Sequence, residues 1–193
     1  MRTRGVGGSS TAAELDAMVS MRDGAVPINN EERRRRIERA QALMAEQGVD
    51  ALYLDASTSL YYFTGLKCRA SERLHGAVLG ANGEVVYICP TFETEKTQSM
   101  LVMDGDIRSW QEHEDPTALV IDTVKYLGVP SGTVAVDEVT PFFTFDGLRR
   151  AGNRYEFVNA SSISGACRMI KSGAELALMK RAKAITLEVH KAT

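Results

Sequence analysis

The chain has 193 residues, 44% of them hydrophobic and 25% charged, with 23 Lys and Arg against 25 Asp and Glu for a formal net charge of -2. A chain this long buries roughly 70% of the surface its unfolded form exposes, which disfavours disorder and fibrous assembly, and the near-neutral balance argues against a field that gathers nucleic acid or anionic membrane. No apolar run approaches the ~20 residues that span a bilayer and the start, MRTRGVGGSSTAAELD, has no apolar signal core, so the sequence reads as soluble, unexported and cytoplasmic.

Residues 1–9, rich in Gly, Ser and Arg, read as a mobile tail. Thr11 and Glu14 form a T-x-x-E capping box that opens a short helix through AAELDAMVSM, stopped by Asp23-Gly24 and Pro27. This leaves 1–28 as an amino-terminal extension. At Asn29 an N-x-x-E pattern caps a helix over 30–47, with Ile37, Ala40 and Met44 on one face and Gly48 at the carboxyl-terminal cap.

VDALYLD, 49–55, is an apolar strand, and AVLGANGEVVYIC, 77–89, holds two strands around Asn82-Gly83, a hairpin signal. Thr91–Met103 reads as helix and Asp106–Trp110 as a short strand; Asp115-Pro116 opens a helix that ends at Gly128. TVAVDE, 133–138, is a strand, Thr140-Pro141 caps a helix running to Arg150, and YEFVNA, 155–160, is a further strand. Strands alternating with helices over short turns predict an α/β layer with a mixed, partly parallel sheet of five or six strands flanked by helices. Past Ser161 a short helix leads to a second capping box, Ser172 to Glu175, and a helix striped by Leu178, Ala182, Ile185 and Val189. That helix has no stop signal, so the reading expects a chain cut, by cloning or proteolysis, inside a longer polypeptide.

Chemistry-bearing residues are sparse. Cys68, Cys89 and Cys167 are odd in number and far apart, which fits a reducing cytoplasm and neither a disulfide framework nor a CxxC knuckle; His75, His113 and His190 are scattered, with no HExxH. GVGG at 5–8 follows no strand and reads as tail, not as a phosphate loop. Arg33 to Arg36 is a dense basic run, but Glu31 and Glu32 precede Arg35 and Arg36 by four residues and Glu38 follows Arg34 by four, so a self-paired solvated face is expected. Asp55, Asp122, Asp137 and Glu138 are too dispersed to nominate as a metal or acid/base set. Tyr61-Tyr62-Phe63-Thr64-Gly65 either lines a pocket at the carboxyl end of the first strand or closes the core. In the loop 71–76, Arg73 and His75 at i and i+2 fall on one side of an extended segment, a cation and a titratable donor suited to a carboxylate, or else form a surface pair.

Four of these segments together, GVDAL (48–52) after the Arg-rich helix, YYFTG (61–65), SERLHG (71–76) and RMIKSGAELALMKRAKAI (168–185), resemble the creatinase/prolidase family of aminopeptidase P, prolidase, Xaa-Pro dipeptidase and creatinase. The resemblance covers most of 29–193. It implies an amino-terminal α/β domain over 29–171, with 172–193 as linker and first helix of a pita-bread catalytic domain. That domain holds two divalent metal ions, commonly Mn2+, through two Asp, one His and two Glu, none of which can be placed here. No catalytic and no metal-binding residue is therefore expected in this chain, which alone should not hydrolyse peptides.

The resemblance further implies a homodimer or higher oligomer in which the loop matching 66–75 reaches the neighbouring subunit's substrate, a proline-containing di- or oligopeptide. Counted without gaps from Gly65 to Gly76, Arg73 falls where creatinase presents a guanidinium to the substrate carboxylate, with His75 and Tyr62 as further candidates. A creatinase-like amidinohydrolase and a stand-alone interaction module stay open as alternatives.

Overall fold

The computed structural model describes residues 7–193; the basic start and the first half of GVGG fall on residues 1–6, outside the described residues. The chain forms two units, one of Asn29–Ile170 and one of Met1–Ile28 with Lys171–Thr193. In the larger unit, α2 (Asn30–Gln47) is followed by β1 (Ala51–Asp55), α3 (Thr58–Thr64), β2 (Gly76–Gly80), β3 (Val85–Pro90), α4 (Thr94–Met100), β4 (Asp106–Trp110), α5 (Pro116–Tyr126), β5 (Gly132–Val136), α6 (Phe142–Ala151), β6 (Tyr155–Asn159) and α7 (Ala166–Met169). The smaller unit contributes α1 (Thr11–Ala17) and α8 (Gly173–Ala192).

The six strands form one sheet in the order β4-β3-β2-β1-β5-β6. β1 pairs antiparallel with β2, and β2 with β3; the β1–β5, β3–β4 and β5–β6 pairs are parallel. Five strands thus point the same way and β2 alone runs back, so the mixed sheet comes from one hairpin inserted into an otherwise parallel layer. That hairpin closes at Gly83, whose φ of 86° is cheap only without a Cβ, with Gly80 N donating to Glu84 O at 2.9 Å.

Alternate side chains of β1 divide the core. Leu52 and Leu54 pack with Met44, Phe63 and Tyr87 on one face. Tyr53 packs with Val78, Ile88, Ile121, Val124 and Leu148 on the other. Each buried Leu, Ile or Phe contributes about 1.5–3 kcal/mol, and helices cover both faces of the sheet.

The local signals mostly resolve as the sequence predicts. Asn29 Oδ1 accepts from Glu32 N at 2.9 Å and Gly48 closes α2 with φ 67°; Asp115 caps α5 with Pro116 at its start; Ser172 and Glu175 form the reciprocal box. Four expectations are corrected. Ser10, not Thr11, caps α1, which ends at Ala17 because Met18 turns extended. Residues 58–64, to which the sequence assigned no element, are a helix, capped by Ser57 Oγ accepting from Ser59 N and Leu60 N at 3.1 Å. The helical stretch after β3 stops at Met100, and Pro141 at the start of α6 has no side-chain cap, so Thr140 does not fill that role.

The basic run is the fourth correction. The Glu31–Arg35 and Glu32–Arg36 pairs form at 2.6 and 2.7 Å, but among the described residues Arg34 and Glu38 do not pair. Arg33 and Arg36 are buried on the same stripe as Ile37, Ala40 and Met44. In the smaller unit no residue of α8 is buried, and Arg181 donates to the Asp23 carbonyl.

Candidate functional site

The segment from Gly65 to His75 crosses from the end of α3 to the start of β2. Because β2 is the reversed strand, this loop lands where β1, β3 and β4 end, with Asp55 opposite Gly76, Gly76 opposite Ile88, and Pro90 opposite Trp110. That is the edge at which open α/β sheets hold ligands. Three contacts fix the arriving chain: Trp110 Nε1 donates to Leu74 O at 3.1 Å, Thr91 Oγ1 to Trp110 O at 3.0 Å, and Arg73 N to Ser71 Oγ at 3.1 Å.

Between this loop and the start of α4 lies a cavity of about 320 Å3. Lys67, Arg69, Arg73 and Lys96 line it, with Glu93 as the single carboxylate among its walls. With Glu72 and Glu112, which pair with Arg73 from outside the lining, four cations face three carboxylates, and the remaining positive excess favours an acidic ligand. A larger cavity of about 500 Å3 lies within the smaller unit against Met18, Val19, Ile185 and Val189, where Glu14 and Glu188 balance Arg22 and Lys191; it gathers no charge of one sign.

Arg73 is held by carboxylates. Its Nε donates to Glu112 Oε1 at 2.8 Å, its Nη2 to Glu112 Oε2 at 3.4 Å and its Nη1 to Glu72 Oε1 at 2.5 Å. The guanidinium also lies 5.4 Å from the Phe92 ring centre. Hydrogen bonding to Glu112 is the main cause that raises its pKa further, so the cation is permanent.

His75 lies at the cavity floor, 5% exposed. Its Nδ1 is 3.3 Å from Glu93 Oε2 and its Nε2 3.3 Å from Thr97 Oγ1. Assigned from those partners, the neutral ring donates from Nδ1 and accepts at Nε2. Burial pushes its pKa below 6.5, against the opposing pull of Glu93, with Lys96 adding to the lowering. Unfolded chain therefore takes up the proton before folded chain does, so this contribution to stability is full above about pH 6.5 and is lost as pH falls below it. Asp55 and Asp137, raised by burial, act in the opposite sense and in the carboxylate range. Urea midpoints should fall between pH 7 and 5 and His75→Gln should flatten that slope; an unchanged slope would remove His75 as its source.

Tyr62 is not on the cavity. Its hydroxyl donates to Cys167 O at 2.8 Å, Arg36 stacks on its ring at 4.0 Å, and it meets Phe63 edge-on at 5.0 Å. The structure thus brings Arg73 and His75 together, engages both nitrogens of His75 within the protein, and places Tyr62 in the packing beneath α2. Lys67, Arg69, Glu93, Lys96 and Glu112 were not singled out from sequence. Lys67 and Arg69 stand in the same loop as Arg73 and could have been; the others reach the site only through the strand register.

Cys68 also lines the cavity, and burial pushes its thiol up to about 11, so it is no thiolate nucleophile at neutral pH. Asp55 and Asp137, dispersed in sequence, come to the ends of the neighbouring strands β1 and β5. Asp55 is bound by Tyr53 Oη at 3.1 Å and Ala56 N at 2.7 Å, and Asp137 by Ser57 Oγ at 2.6 Å. Among the described residues no three His, Cys, Asp or Glu converge to hold a metal. The described residues therefore do not fit a dinuclear centre.

Residues 36–170 match the family described as Creatinase/Prolidase N-terminal domain. Among curated proteins, an uncharacterized peptidase of Staphylococcus aureus is 29% identical over 90 residues, 47% of this chain and 25% of that protein. A dipeptidase from Pyrococcus horikoshii superposes with a TM-score of 0.70 at 27% identity, over 81% of this chain and 42% of its own. The N-terminal domain of a Xaa-Pro dipeptidase from Lactobacillus brevis superposes with a TM-score of 0.60 at 20% identity, over 68% of this chain and 98% of its own. The chain thus spans a quarter of the curated relative and under half of the dipeptidase.

Proposed function

The chain belongs to the Creatinase/Prolidase N-terminal domain family, and from that premise we propose that it is the non-catalytic amino-terminal domain of a Xaa-Pro dipeptidase or aminopeptidase-type metallopeptidase. It serves dimerisation, or a higher homo-oligomer, and completes the substrate pocket of the partner subunit. Hydrolysis of the bond before proline belongs to the rest of that cytoplasmic enzyme, where two divalent ions, Mn2+ in this reading, would supply an activated water.

The observation that carries the reading is the cationic cavity at the carboxyl edge of the sheet with Arg73 on its rim. A guanidinium fork holds a carboxylate by two parallel hydrogen bonds. It would anchor the acidic end of a dipeptide and so fix the distance to the scissile bond. Lys67, Arg69 and Lys96 add attraction with no fixed geometry. No helix among the described residues is long and apolar enough to cross a membrane. The test is a titration of the 15N-labelled chain with the dipeptide Ala-Pro in a carboxylate-free buffer. Backbone signals of 67–75 should shift with a Kd on the order of 1 mM, and shifts confined to other residues would refute the assignment.

A further inference from the structure

The fork of Arg73 is already filled. Nε and Nη2 point at the two oxygens of one carboxylate, that of Glu112, at 2.8 and 3.4 Å, which is the side-on arrangement a substrate carboxylate would take. Glu72, by contrast, touches a single nitrogen from the neighbouring position in the chain.

Glu112 comes from 39 residues away, on the turn between β4 and α5. That turn is built: Gln111 N donates to Glu114 Oε2 at 2.7 Å and Glu114 N to Gln111 O at 2.8 Å, between Trp110, tied to Leu74, and the Asp115 cap of α5. Its backbone is held while the Glu112 side chain stays 58% exposed and free to swing away. Of the other cations on the cavity, Lys96 is 3.7 Å from Glu93, and Lys67 and Arg69 have no ion pair among the described residues.

We propose that Glu112 is an internal competitor of the ligand: its carboxylate occupies the Arg73 fork in the free domain and is displaced when a substrate carboxylate binds. This rests on the reading of Arg73 as the carboxylate anchor and adds its regulation. A bound acid then exchanges one carboxylate for another at Arg73, so Glu112 offsets part of what the fork contributes, and Lys67, Arg69 and Lys96 add to what remains. A ligand bearing a carboxylate and a second acceptor gains over a simple monoacid, and Glu112 becomes a determinant of specificity as well as of affinity.

The apparent Kd of such a site is the intrinsic one divided by the fraction of forks that are open. An exposed pair of this kind closes the fork by a factor of about three to five. In the Ala-Pro titration, Glu112→Gln should therefore tighten binding about three- to fivefold, and Glu72→Gln by less than about twofold. Arg73→Ala serves as the second reference, and an unchanged thermal midpoint in each variant establishes that it is folded. Equal tightening in both Gln variants would make the effect one of general charge and overturn the competitor. No change in Glu112→Gln while Arg73→Ala loses binding would overturn it and leave the anchor standing. Loss of nothing in Arg73→Ala would overturn both.

Discussion

Replacing Gly76 with alanine is expected to lower the unfolding free energy by about 3 kcal/mol, the upper range for overpacking. Gly76 does not have a positive φ, so strain in φ is not the reason. It opens β2 in the middle of the sheet, opposite Asp55 on β1 and Ile88 on β3. A Cβ there would collide with the Leu54 carbonyl oxygen and lie 3.3 Å from the Tyr53 hydroxyl. A backbone carbonyl in a central ladder cannot swing aside as a side chain can, so relief requires β2 to move from β1. That movement would disturb the Tyr53 to Asp55 bond and the entry of the 66–75 loop, on which the cavity depends. The urea midpoint with unchanged slope measures the loss, and a variant as stable as the parent would mean that the strand pair yields without cost.

The second large effect separates neighbours in the basic run. Arg36→Ala is expected to cost about 3 kcal/mol and Arg35→Ala less than about 0.5 kcal/mol. Arg36 is buried; its Nη2 donates to Glu32 at 2.7 Å and its Nη1 to the Tyr62 carbonyl at 2.8 Å, while its Cζ lies over the Tyr62 ring, 4.0 Å from the ring centre. Removing it leaves Glu32, only 12% exposed, without that partner, and leaves the end of α3 unclamped. Arg35 pairs with Glu31 at 2.6 Å, but the two side chains are 57% and 74% exposed, so solvent screens what the pair gains. Arg36→Lys should recover little, because one ammonium cannot serve the carboxylate, the carbonyl and the ring together. Paired urea curves for the two alanine variants check this, and equal losses would return the whole run to the solvated face that the sequence suggests.

That basic run shows where sequence reasoning reached its end. Counting i to i+4 found the Glu31–Arg35 and Glu32–Arg36 pairs, yet nothing in the count reports that Arg33 and Arg36 share the inward stripe of Ile37, Ala40 and Met44. Signals that are local in chemistry were legible: the Asn29 and Asp115 caps, Gly48, the Asn82-Gly83 hairpin and the Ser172 box all act through residues within four positions. α3 was missed because seven residues give too little periodicity, and its cap, Ser57, was one more serine in a polar stretch.

The site divides along the same line. Arg73 and His75 stood out as neighbours in one loop, but Glu93 and Lys96 arrive from the start of α4 and Glu112 from the turn after β4, placed beside them only by the reversal of β2. The engagement of both His75 nitrogens depends on Thr97, 22 residues distant, and was beyond any local pattern. Asp55 and Asp137 became neighbours for the same reason, through the parallel pairing of β1 with β5.

The central claim is that Arg73 anchors a substrate carboxylate, and the same Ala-Pro titration tests it most directly when extended to Arg73→Ala and to the carboxyl-terminal amide of the dipeptide. Arg73→Ala should weaken binding of the free acid at least about fivefold, and the parent chain should bind the amide about as weakly as the variant binds the acid. Equal binding of acid and amide by the parent chain, or of the acid by parent and variant, would contradict it.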